Sequence, residues 1–148
     1  MDAHSNFNCY DTSMPCTIKE SLAARMSKSK VFVLVVGDCT KTTRKGSCSY
    51  QACGNKKYNY YWHQYECGVA GKSYDTTSFI DYECEMAYKS WKRGEMKIVV
   101  LYNAASVNKN KCPEILRAIG THSAMKSYNA IWGRYMYDYY KVRKAIED

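Results

Sequence analysis

The sequence predicts an α/β fold in which a parallel sheet is flanked by helices. Two apolar runs carry this prediction, Val31–Val36, which stops at Gly37, and Met96–Tyr102. The long apolar stretch in each run has no polar alternation, which is typical of strands covered on both faces. Helical periodicity surrounds both runs, and open sheets of this kind bind ligands beyond the carboxyl ends of their strands. A site is therefore expected first in the residues that follow Val36.

Length and composition restrict the class of protein. The 148 residues predict a single domain, 1–148, and 46% hydrophobic residues exclude a disordered chain. No apolar run approaches the roughly 18 residues of a membrane span. The first residues lack the features of a signal peptide, so a cytoplasmic location and reduced cysteines are expected. The net charge of +8 favours an anionic partner without choosing between nucleotide, nucleic acid and membrane surface.

The first half of the chain is predicted to run strand, helix, strand. A short strand at Phe7–Tyr10 precedes a helix whose N-cap is Thr17, with Glu20 completing a capping box. Its apolar positions recur every four residues: Ile18, Leu22 and Met26. This helix leads directly into the strand 31–36.

The second half is predicted to alternate helices and strands. A helix begins at Ser78 and runs to about Arg93, where Gly94 ends it. The remaining predicted elements are a strand at 97–102, a short helix at 113–119, a strand at 128–132 and a basic helix at 135–146. We predict no internal repeat, and we expect His4 and His122 at the surface. The order is β-α-β-insertion-α-β-α-β-α.

Residues 39–78 form a long insertion with some order of its own, because it is too aromatic for a disordered linker. Three thiols and an imidazole within twenty residues make a chemically plausible zinc set: Cys48, Cys53, His63 and Cys67. The set lacks the flanking glycine knuckles of firm zinc motifs, so ordinary small hydrophobic cysteines are the favoured interpretation.

Tyrosines in the insertion are interleaved with Lys56, Lys57 and Lys72. Such a pattern can stack bases on the rings while the lysines contact phosphates, as in single-strand-binding proteins. A solvated, partly packed surface loop explains the pattern more simply. Nucleic acid is therefore the less favoured partner.

The helix after the insertion places a carboxylate beside its apolar stripe. Glu83 shares the face of Phe79, Ile80, Met86 and Ala87, whereas Glu85 points elsewhere. A partly desolvated carboxylate near strand ends can do acid–base or electrostatic work. From the pattern alone, an amphipathic helix with one glutamate at the edge of its apolar face is favoured.

Two segments in this order resemble bacterial TIR-like domains, including the TIR-like component of the Thoeris antiphage system. The segments are 16–41 and Phe79-Ile-Asp-Tyr-Glu-Cys-Glu-Met-Ala87. They match a helix ending in serine and lysine, a hydrophobic strand followed by glycine and threonine, and an aromatic-x-x-x-Glu motif. The strand 97–102 continues the match, which covers most of 7–103 outside the insertion.

The resemblance implies a flavodoxin-like domain that cleaves the N-glycosidic bond of NAD. Glu83 stands at the position of the family's catalytic glutamate, which is expected to hold the nicotinamide ribose and stabilise the oxocarbenium-like cation. The motif usually begins with Trp, and Phe79 can keep its packing role. The substrate-binding residues that the resemblance implies are Phe79, Asp11, Thr12, Gly37 and Thr40.

The resemblance also implies partners. NAD is the substrate, no cofactor is needed, and a cyclic ADP-ribose-like product would signal to an effector. Residues 11–16 would correspond to the family's mobile loop, which drives self-association. The family has a further strand and helix before the segment matching Phe7–Tyr10, so the sheet is expected to lack a strand beside 31–36. Two alternatives stay open: a non-catalytic TIR-like interaction module, and a basic nucleic-acid-binding protein.

Overall fold

The computed structural model describes residues 15–47, 56–67, 72–73 and 77–148. These residues form a mixed α/β structure. In chain order its helices and strands are α1 (Pro15–Met26), β1 (Val31–Val36), β2 (Lys56–Asn59), β3 (Gln64–Cys67), β4 (Lys72–Ser73), α2 (Phe79–Lys92), β5 (Lys97–Tyr102), β6 (Thr121–Ala124), β7 (Lys126–Asn129), β8 (Arg134–Tyr137) and α3 (Tyr139–Glu147).

A parallel three-stranded sheet in the order β1-β5-β6 forms the centre of the fold. The register places Val31 beside Lys97 and Tyr102 beside Ala124, so all three carboxyl ends meet at one edge. The predicted α/β class and the strands 31–36 and 97–102 are confirmed. The sheet edge that carries the predicted site is therefore present.

The sheet has one packed layer on each face, because side chains of a strand alternate between the two sides. On the first face α1 and α2 pack against each other, and the core there includes Leu34, Ile98 and Tyr102. On the second face Val99 and Leu101 pack against α3. The central strand β5 is consequently buried from Ile98 to Tyr102.

Strand β1 corrects the prediction of a strand covered on both faces. Leu34 and Val36 are buried, but the alternate residues Val31, Val33 and Val35 are exposed, the last of them by 50%. The reason is positional: β1 is an edge strand of the described sheet, and α3 packs mainly against β6 and β5. We call Val31, Val33 and Val35 the valine face.

Helix α1 begins earlier than predicted. Pro15 opens its described part, so Thr17 is a helical residue and not the N-cap. Proline suits a first turn because its missing N–H would have no partner there, a preference that competes with the capping box. Leu22 and Met26 are buried as predicted. The predicted strand Phe7–Tyr10 lies outside the described residues.

Helix α2 agrees closely with its prediction. Ser78 is the N-cap, and its hydroxyl oxygen accepts a hydrogen bond from the Asp81 N–H over 3.1 Å. The helix ends at Lys92 with Arg93 as its C-cap, and Gly94 follows with a φ of +73°. The capping serine and the left-handed glycine are local signals, which is why the sequence alone indicates both ends.

The carboxyl-terminal third differs from the prediction. The predicted helix 113–119 contains a single 3-10 turn, Glu114–Leu116. The predicted strand 128–132 is wrong beyond Asn129, because residues 130–133 form the turn between β7 and β8. Helix α3 starts at Tyr139, capped by Asp138, since the residues from 135 belong to β8. Strand β6 was not predicted.

An internal repeat emerges from the structure, contrary to prediction. The pattern Tyr-Asn-x-x-Trp-x-x-Tyr occurs at 58–65 and again at 128–135. Both copies form antiparallel hairpins in the same register, β2–β3 and β7–β8. The first hairpin lies in the insertion, which also contains β4, so the described part of the insertion has the ordered structure that was predicted for it.

No helix in the described ranges is long and apolar enough to cross a membrane.

Candidate functional site

The candidate site lies where the parallel strands end. After β1, the Gly37 N–H donates a hydrogen bond of 2.8 Å to Thr40 Oγ1 and closes a turn. The next residue, Asp38, forms an ion pair with Lys111 from the segment after β5. The hydrogen bond that the Lys111 ammonium donates to the Asp38 carboxylate, together with the lysine charge, lowers the pKa of the Asp38 carboxyl. The structure thus brings Gly37 and Thr40 together and ties their turn to the neighbouring strand.

Phe79 has a packing role beside this turn. Its backbone N–H donates to the Lys45 carbonyl over 2.8 Å, and its ring lies directly against the Gly46 backbone. A Cβ atom built on Gly46 would stand 2.4 Å from the ring. The loop that follows β1 therefore packs against Phe79, the first residue of α2.

Glu83 lies one helical turn beyond Phe79 and is half-buried. Its neighbour Cys84 is fully buried, and burial raises the pKa of that thiol to about 12. The nearby thiol of Cys112 and the carboxylates of Glu83, Asp81 and Glu85 add smaller contributions in the same direction. Glu83 is therefore one of three acidic residues of α2 whose charge acts on the buried thiol.

A cleft of about 350 Å³ opens beside α2, but Glu83 is not among the residues that line it. The lining residues are Lys41, Thr77, Asp81, Glu85, Pro113, Glu114 and Ile115. Helical residues two positions apart differ by about 200° around the axis, so Glu83 and Glu85 face different flanks. Asp81 is also near Arg44, with 3.9 Å between carboxylate and guanidinium.

Lys19, which was not predicted as a site residue, is buried beside the start of α2. It is only 4% exposed, and its ammonium donates 2.7 Å to the Thr77 carbonyl just before α2. The same ammonium lies 5.6 Å from the centre of the Tyr82 ring. Its position three residues before Leu22 was the available signal, because it puts Lys19 on the buried side of α1.

His122 corrects the prediction of a surface histidine. Its Nδ1 lies 2.8 Å from the Tyr102 hydroxyl and its Nε2 lies 2.9 Å from the Ile119 carbonyl. The carbonyl can only accept, so Nε2 carries a proton and donates it to Ile119. Burial, with a further contribution from Cys112, raises the pKa of Tyr102 to about 12. The network holds the end of β5 against β6.

The other predicted site residues fall outside this geometry. Asp11 and Thr12, together with His4, lie outside the described residues, as do Cys48 and Cys53 of the zinc set. Of the other two zinc candidates, His63 is exposed at a hairpin turn and Cys67 is buried at the end of β3. Within the described ranges, no three or more His, Cys, Asp or Glu residues are grouped to hold a metal ion.

No protein-family model, curated protein or solved structure matches this chain. The function proposed below therefore rests on the resemblance of the sequence segments 16–41 and 79–87 to TIR-like domains and on the geometry described above.

Proposed function

We propose that this chain is a TIR-like domain that cleaves NAD and makes a cyclic ADP-ribose-like signal in bacterial antiphage defence. The observation that carries the proposal is the position of Glu83. It is a half-buried carboxylate near the start of α2, the helix that joins β1 to β5 at the carboxyl edge of the sheet. That placement agrees with the flavodoxin-like arrangement implied by the aromatic-x-x-x-Glu motif.

In the proposed reaction, Glu83 contacts the ribose that carries nicotinamide. The bond between the ribose C1′ and the nicotinamide nitrogen breaks, nicotinamide leaves with the bonding electrons, and the ribosyl group becomes cationic. A half-buried carboxylate is surrounded by less water than a fully exposed one, so it stabilises this cation more strongly. Attack on C1′ by an adenine nitrogen closes a cyclic product, and attack by water gives ADP-ribose. Asp11, Thr12, Gly37, Thr40 and Phe79 are the proposed binding residues.

The decisive experiment measures nicotinamide release from NAD by chromatography, with and without lysate from phage-infected cells. Glu83→Gln keeps the size of the side chain but removes its charge, so turnover should fall by about 100-fold or more. Glu95→Gln is the matched control, because it removes the same charge from an exposed position just beyond the end of α2. Thermal unfolding of both variants establishes that the fold is retained.

Absence of turnover in the unmodified chain under every condition would overturn the enzymatic proposal. The second candidate is a non-catalytic TIR-like module that assembles through exposed surfaces. The valine face favours this candidate, since three apolar side chains on one strand face solvent. Self-association in sedimentation experiments without nicotinamide release would support the module.

A further inference from the structure

The two hairpins share a turn built around an asparagine. Asn59 Oδ1 accepts hydrogen bonds from the N–H groups of Tyr61 and Trp62, over 2.9 and 3.2 Å. Asn129 Oδ1 accepts from the N–H groups two and three residues later, over 3.0 and 3.3 Å. The residue after each tryptophan has a positive φ, 49° at His63 and 59° at Gly133. Each turn thus has the same hydrogen bonds and the same backbone bend.

The strands of both hairpins are joined by a pair of tyrosines. Tyr58 and Tyr65 meet edge to face with ring centres 5.0 Å apart, and Tyr128 meets Tyr135 at 5.4 Å. The planes are inclined by 70° and 69°, respectively. Such cross-strand aromatic pairs stabilise a short hairpin. The similarity therefore extends from the turn into the strands.

The tips of both hairpins present large apolar side chains to solvent. Trp62 is 65% exposed and Trp132 is 67% exposed, and Ile131 beside it is 89% exposed. The turn needs the asparagine, the positive φ and the backbone N–H of each tryptophan, and at the first tip the Trp62 ring also meets the Tyr61 ring edge to face, with ring centres 4.8 Å apart. Because the residue before Trp132 is Ile131, this contact does not explain an exposed tryptophan at the same place in both hairpins, whereas a ligand that stacks on it does.

The surroundings of the tips indicate the chemistry of that ligand. The chain carries a net charge of +8, and the second hairpin bears Lys126 and Arg134 on its strands. Exposed tyrosines continue away from both tips: Tyr58, Tyr60, Tyr61 and Tyr65 in the first hairpin, and Tyr128, Tyr135, Tyr137, Tyr139 and Tyr140 in and after the second. A hairpin that inserts into a membrane needs apolar side chains only at its tip. Exposed aromatic rings along the whole hairpin instead suit a ligand that extends along it, such as a single strand of nucleic acid.

We propose that the two hairpins bind single-stranded nucleic acid, with bases stacked on Trp62, Trp132 and the neighbouring tyrosines. Base–aromatic stacking tolerates any sequence, and the basic side chains supply the phosphate contacts. This binding is separate from the proposed NAD cleavage and does not depend on Glu83.

The test is fluorescence anisotropy with labelled oligo-uridylate and oligo-thymidylate of about twenty nucleotides, long enough for several stacked bases. Trp62→Ala and Trp132→Ala should each weaken binding about fivefold or more, and the double variant further. Trp62→Phe and Trp132→Phe should retain most of the affinity, because phenylalanine keeps a stacking face. Trp91→Ala is the matched control, since Trp91 stacks on Tyr88 within α2 and belongs to neither hairpin.

Three results would overturn the proposal. One is no binding of either oligonucleotide at low salt. Another is binding that both alanine variants leave unchanged, since the contact would then be charge alone. The third is tryptophan-dependent binding to phosphatidylserine vesicles without any to oligonucleotide, which would assign the tips to a membrane surface. Nicotinamide release by the Trp62 and Trp132 variants should equal that of the unmodified chain, which separates this test from that of Glu83.

Discussion

At the scale of single residues, the contact between Gly46 and Phe79 links the loop after β1 to α2. Gly46 has a φ of +96° and its backbone touches the ring. A side chain at this position would therefore strain the backbone and also clash with the Phe79 ring. The sequence alone indicated Gly94, because a glycine after a helical pattern is a local signal. It did not indicate Gly46, Lys19 or His122, whose roles depend on partners distant in the chain.

Gly46→Ala should destabilise the protein by more than Gly94→Ala does. Both glycines have a positive φ, +96° and +73°, so both variants lose a left-handed backbone position. Only at Gly46 does the new methyl group also clash with a ring, and overpacking typically adds about 1–3 kcal/mol. Urea unfolding of the two variants measures the difference. Equal losses would show that the Phe79 ring moves aside freely.

At the scale of elements, the second hairpin shows that turn-forming residues can override strand propensity. Residues 128–132 are rich in tyrosine, isoleucine and tryptophan, whose strand propensity suggested one continuous strand. Asn129 and Gly133 reverse the chain within that segment, because asparagine caps the turn and glycine takes the positive φ. Because 128–132 was predicted as one strand, its similarity to the turn at 58–65 was not predicted.

His63 and Gly133 occupy equivalent positions with φ of 49° and 59°, which gives a paired prediction. His63→Gly should stabilise its hairpin by up to about 1 kcal/mol, because glycine adopts this conformation without steric strain. Gly133→Ala should destabilise the other by about the same amount; the nearest atom to its new methyl, the Tyr128 hydroxyl at 3.9 Å, makes no clash. Amide hydrogen exchange of Tyr65 and Tyr135 reports each hairpin separately. Changes of the same sign in both variants would contradict the shared turn.

At the scale of the whole molecule, the α/β class could be predicted because β1 and β5 each have an uninterrupted apolar run, although only β5 is buried on both faces. β6 could not, since Thr121-His-Ser-Ala124 is mostly polar and takes its place from pairing with β5. Coverage of β1 could not be predicted either, because it depends on which strands α3 packs against. At the candidate site, sequence placed Glu83 on α2, while the contacts of Lys19 and Phe79 required the structure.

The core should make the protein sensitive to alkali. The pKa values of Cys84 and Tyr102 are raised from 9.0 and 10.0 to about 12, so the unfolded chain loses these protons before the folded one. The contribution of these two groups to the free energy of unfolding is then constant at pH values well below 9 and falls as the pH rises towards 12. Urea unfolding under reducing conditions at a series of alkaline pH values measures the slope.

Cys84→Ala isolates one part of this pH dependence. The variant loses packing at every pH, but its stability should fall less steeply above about pH 9, because one titrating thiol is gone. Exposed Cys39, replaced by alanine, is the matched control and should leave the slope unchanged. A slope unaffected by Cys84→Ala would show that the thiol ionises as readily in the folded protein as in the unfolded one.

The valine face has a consequence for how natural selection acts on β1. Leu34 and Val36 are constrained by the core, and any larger or polar substitute there destabilises the fold. At Val31, Val33 and Val35, threonine would serve a half-exposed strand equally well, so folding exerts little selection for valine. Substitutions in β1 are therefore expected to fall into two alternating classes: those at Leu34 and Val36 reduce stability, and those on the valine face leave the fold intact.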